Sequence, residues 1–159
     1  MVKGVLEDEV TRGDSTYFNR PGVAVVTWDA TSHAVYIEWQ GWADSTEFAT
    51  LLDAGLRALI EHHGSRWLND SRKMKVIKQS DQDWMDQKFF PRAQAAGLRR
   101  VAIVIPKSGL AMMNVEAVAA RIPDTQLTVE YFATVEGARE WLTGPDTRIP
   151  NGSEMHPIS

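Results

Sequence analysis

The chain contains no cysteine among its 159 residues. This absence excludes disulfide bonds, thiolate metal sites and a cysteine nucleophile, and it agrees with a reducing compartment. The sequence also has no apolar run of the roughly 18 residues that a membrane-spanning helix requires. Its first ten residues carry Glu7, Asp8 and Glu9 in place of the apolar core of a signal peptide. We therefore expect a cytoplasmic protein without a transmembrane segment.

The sequence lacks the motifs of the common enzyme classes as well. No serine lies in a Gly-x-Ser-x-Gly elbow, and Lys107-Ser108-Gly109 does not have the glycine spacing of a phosphate-binding loop. His62 and His63 are adjacent, so their side chains point apart on a helix, while His33 and His156 are isolated. These patterns predict no metal site, no cofactor and no catalytic residue. An enzyme with an unrecognised site remains an alternative.

Positive charge is scarce overall but concentrated in one segment. The 17 lysines and arginines are outnumbered by 21 acidic residues, which gives a net charge of −4 and argues against a nucleic-acid partner. Between residues 66 and 78, by contrast, the only anion is Asp70. The cations of that segment are Arg66, Arg72, Lys73, Lys75 and Lys78. Such a loop suits an anionic protein, a lipid headgroup or a phosphate, although a solvated surface loop is the commoner explanation.

What the sequence does contain is a regular succession of strand and helix patterns. Residues 23–28 are rich in β-branched side chains and residues 33–40 alternate in polarity, which predicts an antiparallel pair of strands. A capping box of Asp44 and Glu47 predicts the start of an amphipathic helix that ends near Gly64. Three further strands and three further helices follow. The strands are expected at residues 67–70, 101–105 and 127–132, and the helices behind the caps Ser80, Asn114 and Thr134.

The predicted order of elements is β-β-α-β-α-β-α-β-α. Strands that alternate with helices form parallel pairs with right-handed crossovers. We therefore expect an α/β fold with a mixed, mostly parallel sheet of about five strands and four helices. Pro91 falls inside the second helix, where a proline ring clashes with the carbonyl four residues earlier. We expect a kink, or a new helix, at that position.

The two ends of the chain differ from its middle. Residues 1–20 are polar, and we interpret them as an N-terminal arm. Residues 21–143 carry all the predicted elements and are expected to form a single domain. Residues 144–159 contain three prolines and two glycines without an apolar period, which predicts a mobile C-terminal tail.

Ligands of open α/β sheets bind at the carboxyl ends of the strands. The residues of mixed chemistry that we expect at this edge form the candidate ligand or partner site. They are Trp42, Asp70, Arg72, Lys73, Ser80, Asp81, Trp84, Lys107 and Ser108. The adjacent Phe89 and Phe90 point in different directions, so one of them is expected to cover a pocket, a dimer contact or a membrane surface.

Several segments together resemble the SpoIIAA-like proteins related to STAS domains (sulfate transporter and anti-sigma factor antagonist). The resemblance covers about residues 23–142, and its segments are residues 67–72 (WLNDSR), 81–84 (DQDW), 90–98 (FPRAQAAGL), 101–106 (VAIVIP), 131–132 and 138–142. It implies a βα superhelix on a mixed sheet. It also implies a bacterial regulatory switch that binds a kinase or an anti-sigma factor and is phosphorylated on a serine that begins the second helix.

Ser80 is the serine nearest to that switch position, and it is the candidate phosphorylation site. The chain reads Gln79-Ser80-Asp81-Gln82 there, whereas the STAS pattern is Asp-Ser-x-Gly. Distant relatives of the fold, the CRAL-TRIO domains, hold lipids in an apolar pocket. The sequence thus favours a non-enzymatic regulatory or protein-interaction module. A carrier or sensor of a small apolar or anionic, lipid-like ligand is the alternative, and a homodimer fits either function.

Overall fold

The computed structural model describes residues 15–122 and 127–145. These residues form a six-stranded sheet with helices on both faces. The strands are β1 (Ser15–Arg20), β2 (Ala24–Asp29), β3 (Ala34–Trp39), β4 (Arg66–Asp70), β5 (Arg100–Val104) and β6 (Thr128–Phe132). The helices are α1 (Ser45–Glu61), α2 (Gln79–Trp84), α3 (Phe90–Ala95), α4 (Gly109–Ala119) and α5 (Val135–Thr143), and a π-helical turn (Met85–Phe89) joins α2 directly to α3.

The strands lie in the sheet in the order in which they occur along the chain. β1, β2 and β3 pair antiparallel, whereas β3, β4, β5 and β6 pair parallel. The predicted fold class, an α/β fold with a mixed and mostly parallel sheet, is therefore confirmed. Because α2, the π-helical turn and α3 are continuous, the described chain has four helical segments, as predicted. No helix among the described residues is long and apolar enough to cross a membrane.

The strand count is one higher than predicted, because Ser15–Arg20 forms β1 within the stretch interpreted as a polar arm. β1 pairs with β2 through the backbone and has a bulge between Thr16 and Phe18. It is an edge strand, and none of its side chains is fully buried. A strand of this kind needs no apolar alternation, so the sequence pattern does not reveal it. The rest of the predicted arm, and the predicted tail beyond Pro145, lie outside the described residues.

The alternation along the strands assigns every side chain to one of two faces. On the first face, Val35, Ile37 and Trp39 of β3 join the larger core, which α1, α3 and α4 cover. On the second face, Ala34 of β3 and Leu68 of β4 join a smaller core, which α5 covers. The first face is therefore packed by three helical segments and the second by one.

Two predicted helix caps are wrong. Lys78, rather than Ser80, is the N-cap of α2, and Ser80 lies exposed in the first turn. Ser108, rather than Asn114, caps α4, and its side chain accepts a hydrogen bond from the Ala111 N–H. Asn114 lies inside α4, where its Oδ1 accepts the Ile77 N–H at 2.8 Å. A contact between distant segments thus decided between residues of equal capping propensity.

The break expected at Pro91 is confirmed in an unexpected form. The helix widens into the π-helical turn before the proline, and the Phe90 N–H bonds to the Met85 carbonyl, five residues earlier. α3 then begins with Pro91 in its first turn, where its missing N–H costs no helical hydrogen bond. Gly97 ends the segment with a φ of 118°, which favours glycine.

Candidate functional site

Three loops meet at the carboxyl ends of the parallel strands, as the topology rule predicts. They are residues 40–44 after β3, 71–78 after β4 and 105–108 after β5, and we call them, with the first turns of α2 and α4, the carboxyl edge. The Lys107 N–H donates to the Arg72 carbonyl at 3.2 Å, which joins the second and third loops. The Ile77 N–H bond to Asn114 fastens the second loop to α4. All the predicted site residues except Trp84 therefore lie on, or directly beside, one connected surface.

Asp70 and Arg72 form the best-defined ion pair of this edge. Two hydrogen bonds of 2.9 and 2.8 Å run from the guanidinium to the two carboxylate oxygens, and the Arg72 N–H adds a third at 3.3 Å. Asp70 is buried, whereas the Arg72 side chain is half exposed. The bonds and the charge of Asp70 raise the pKa of Arg72 above its ordinary value. This carboxylate is committed to holding the loop in place, so it does not act as a free base.

The other predicted residues divide into three groups by their surroundings. Lys73, Ser80, Lys107 and Trp42 are exposed on the surface of the edge. Ser108 serves as the cap of α4 and is thereby explained by structure alone. Asp81 is buried at the start of α2. Trp84 is half-buried, and its ring stacks on Phe89 with the two centroids 6.1 Å apart.

Ser71 is a notable residue of the edge that the sequence analysis did not single out. Ser71 directly follows Asp70 and is completely buried, and its Oγ has no hydrogen-bond partner within the described part of the chain. Its backbone N–H bonds to the Val104 carbonyl, which continues the ladder between β4 and β5 by one residue. No sequence signal distinguishes this serine from an ordinary loop serine.

A cavity of about 60 Å³ lies between the first face of the sheet and the helices α3 and α4. Trp39, Trp67 and Ile103 line it from the sheet, and the π-helical turn closes it from the other side. The remaining lining residues are Phe48, Leu52, Asn69, Met74, Ile77, Met85, Phe89, Phe90, Leu98, Val101, Val115, Val118, Ala119, Ile122 and Val129. Every residue of this lining except Asn69 is apolar. Both phenylalanines that the sequence singled out thus face the same internal space.

Asn69 is the polar exception, and it is already hydrogen-bonded. The Trp39 indole N–H donates to its Oδ1 at 3.3 Å. A water molecule needs two to four polar partners to be stable in a protein interior, and this lining offers little beyond that one amide. The chemistry of the cavity therefore favours an apolar occupant over water. The sequence offered a pocket as one of three explanations for Phe89 and Phe90, but it did not predict the rest of the lining, because those residues come from elements spread between residues 39 and 129.

The second face carries a shallow polar groove next to α5. Arg139 donates from Nε to Asp29 at 2.9 Å, and the Ser32 hydroxyl donates to the same carboxylate at 2.8 Å. The guanidinium lies 5.2 Å from the ring centroid of Tyr36. Burial, with a contribution from the charge of Asp70, raises the pKa of Tyr36 to about 12, so the phenol is neutral at physiological pH. The groove is thus built of paired charges, and the described residues contain no cluster that could hold a metal ion.

Comparison with known proteins agrees with the resemblance seen in the sequence. Residues 34–143 match the family model described as SpoIIAA-like. The match runs from β3 to the end of α5, so it includes the cavity and the carboxyl edge. It leaves out β1, β2 and the turn that follows, and with them Asp29 and Ser32 of the polar groove. No curated protein and no solved structure matches the chain significantly.

Proposed function

The chain belongs to the SpoIIAA-like family, and from that premise we propose that it is a non-enzymatic regulatory module that responds to a small apolar molecule bound in the cavity. STAS-like proteins are generally non-enzymatic and often mediate protein interactions. The apolar lining of the cavity is the observation that supports the proposal. Its residues come from the sheet, from α1, from the π-helical turn and from α4, so an occupant is in contact with several of the elements that form the larger core.

The size of the cavity limits what it accepts without adjustment. An engineered apolar cavity of about 150 Å³ binds benzene, whereas this one has about 60 Å³. A ligand larger than a few heavy atoms must therefore displace part of the wall. The π-helical turn, which contributes Met85 and Phe89, is the part of the wall that departs from regular helix geometry. We expect ligand binding to move this segment.

A neutral fluorescent probe, N-phenyl-1-naphthylamine, tests the proposal directly. We expect saturable one-to-one binding to the full chain. Val118→Phe adds an aromatic ring to the cavity wall and should weaken this binding at least about ten-fold, because the ring occupies the space. Leu110→Phe, an exposed position on the same helix, is the matched control and should bind normally.

Circular dichroism of both variants checks that each is folded. Because this probe is larger than the cavity, its binding also requires the expected movement of the wall, so benzene is measured beside it. Absence of saturable binding of both molecules to the unmodified chain would contradict the proposal. Equal binding by the folded Val118→Phe variant and the control would contradict it as well, since the probe would then occupy another surface.

A second candidate function, a phosphorylation-controlled interaction, has one specific observation in its favour. Ser80 is exposed in the first turn of α2, and the N-cap of that helix, Lys78, provides no side-chain hydrogen bond. A phosphate on Ser80 would carry negative charge close to first-turn N–H groups and to a lysine, an arrangement that is electrostatically favourable.

The corresponding experiment compares Ser80→Asp with Ser80→Ala in affinity capture from a lysate of the source organism. We expect the two variants to recover different partners. An identical set of partners would remove Ser80 as a switch, while leaving the probe-binding experiment unaffected.

A further inference from the structure

The carboxyl edge carries a concentration of unpaired positive charge. Four lysines are exposed there, and none of them forms an ion pair with any residue that the structure describes; they are Lys73, Lys75, Lys78 and Lys107. Three anions lie at this edge: Asp70 is bound to Arg72, Asp44 accepts the Glu47 N–H in the capping box of α1, and Asp81 is buried at the start of α2. Since the chain as a whole has a net charge of −4, this edge is a local reversal of sign.

Exposed apolar side chains are concentrated at the same edge. Of the five large apolar residues that are exposed among those described, four lie here: Trp42, Val76, Leu110 and Met113. Trp42 lies in the loop after β3, Val76 lies in the loop after β4, and Leu110 and Met113 both lie near the start of α4. The fifth, Ile60, lies at the end of α1, away from the edge. The lysines and the apolar residues therefore share one surface. Hydrogen bonds join the loop after β4 to the loop after β5 and to α4, and Gly41 and Ala43 of the loop after β3 line the same small pocket as Lys75 and Val76.

We propose that the carboxyl edge docks on an anionic lipid bilayer. In this arrangement the lysines lie among the headgroups, and Trp42, Leu110 and Met113 enter the interfacial region. Lysine near an anionic leaflet gains favourable electrostatic energy without needing a defined partner geometry, and tryptophan is enriched at the level of the headgroups. The docking surface goes beyond the proposed ligand cavity and does not depend on it.

The composition of the edge favours a bilayer over an acidic protein. Protein interfaces are enriched in arginine and depleted in lysine, whereas the free cations here are all lysines. The one arginine of the segment, Arg72, already uses its guanidinium on Asp70. The apolar side chains also project from two loops and from the start of α4, which suits shallow insertion into a lipid surface.

Sedimentation with unilamellar vesicles measures this docking on the full chain. We expect binding to phosphatidylcholine vesicles that contain about 30% phosphatidylserine, little binding to pure phosphatidylcholine, and loss of binding as sodium chloride rises from about 0.05 to about 0.5 M. A chain that fails to bind the anionic vesicles at low salt would overturn the proposal. Binding to polyglutamate without binding to vesicles would do so too, and would point to an acidic protein as the partner.

Matched variants locate the surface. The triple substitution Lys73→Gln, Lys75→Gln and Lys78→Gln should weaken vesicle binding by about 100-fold, at about five-fold for each lysine. The control triple removes the same charge from exposed positions elsewhere, Arg57→Gln, Lys88→Gln and Arg99→Gln, and should weaken binding less than about five-fold. Equal losses in the two triples would show that the attraction is not specific to the edge.

A second pair of variants tests the apolar contribution. Leu110 and Ile60 are exposed to 57% and 52%, and both lie on helices, so Leu110→Gln and Ile60→Gln make the same chemical change at equally exposed sites. We expect weaker vesicle binding only for Leu110→Gln. Indistinguishable binding by the two variants would remove the insertion step from the proposal. Binding of N-phenyl-1-naphthylamine in the absence of vesicles should be unchanged in the triple variant of Lys73, Lys75 and Lys78 and in Leu110→Gln and Ile60→Gln.

Discussion

Arg100 offers the sharpest test of how the second face is held together. It is the first residue of β5, and its side chain is buried under the end of α5. The guanidinium donates to the carbonyl oxygens of Trp141, Leu142 and Gly144 at 3.0, 2.8 and 3.1 Å. It also lies 4.8 Å from the ring centroid of Trp141. The last carbonyls of a helix have no partner within the helix, so Arg100 replaces the missing donors.

We predict that Arg100→Met lowers the free energy of unfolding by about 3 kcal/mol. The methionine retains most of the apolar stem and leaves no buried charge, so the cost arises mainly from the Leu142 and Gly144 carbonyls, which lose this donor at about 1 kcal/mol each. The Trp141 carbonyl keeps its bond from the Gly144 N–H. Loss of the contact with the Trp141 ring adds to this cost. Arg100→Lys keeps the charge but cannot bond three acceptors in a fork, so its effect should be intermediate.

Urea unfolding followed by circular dichroism measures the difference. Arg99→Gln is the matched control, because Arg99 is exposed and its side chain bonds to the adjacent Leu98 carbonyl; it should change stability by less than about 0.5 kcal/mol. A loss below about 1 kcal/mol for Arg100→Met would refute the argument, since it would mean that water replaces the guanidinium at the helix end. Hydrogen exchange should also become faster in α5 before it does in α1.

Three further predictions concern packing, an ion pair and pH. Gly55→Ala should destabilise the chain by about 2 kcal/mol or more in the same urea assay, because its Cβ would approach the Trp67 ring to 2.5 Å, whereas Gly109→Ala meets nothing within 4 Å and should be tolerated. Asp70→Ala should cost more than Asp53→Ala, because the first carboxylate is buried while the second is half exposed in its pair; equal costs would argue against a structural role for the buried pair. Burial raises the pKa of all three tyrosines, to about 12 for two of them, so stability should fall as the pH rises from the ordinary value near 10 towards 12, and a tyrosine absorbance titration without this shift would contradict the burial. These tyrosines are Tyr17, Tyr36 and Tyr131.

The parts of the fold that were predictable are those governed by local patterns. The alternation along β3 correctly predicted that Val35, Ile37 and Trp39 share one face of the strand, because all three side chains are buried in the same core. The capping box of Asp44 and Glu47 is present in full. Local patterns could not show whether Ser108 or Asn114 caps α4, because both residue types are good caps. In the structure Ser108 is the cap, and the Asn114 side chain instead accepts the N–H of the distant Ile77.

The candidate site was predictable in its location but not in its chemistry. Parallel strands in one sheet bring their carboxyl ends together, so the meeting of residues 40–44, 71–78 and 105–108 follows from element order alone. Whether a given side chain is free or committed depends on packing. Asp29 and Arg139, for example, are 110 residues apart and form an ion pair that no spacing rule indicates.

The position of the cavity follows from the same topology. Strands β3 to β6 are neighbours in chain order, and right-handed crossovers then place every connecting helix on one face. The helical segments that share this face are α1, the segment from α2 to α3, and α4. Side chains from these three segments and from the sheet fill the space between them. α5 follows the last described strand and connects it to no further strand, so the crossover rule does not fix its side, and it packs on the other face. The cavity lies in this layer, where the irregular segment with its π-helical turn at Met85–Phe89 packs against the strands, so topology fixes the face on which the cavity is found and the irregular helix geometry marks its position on that face.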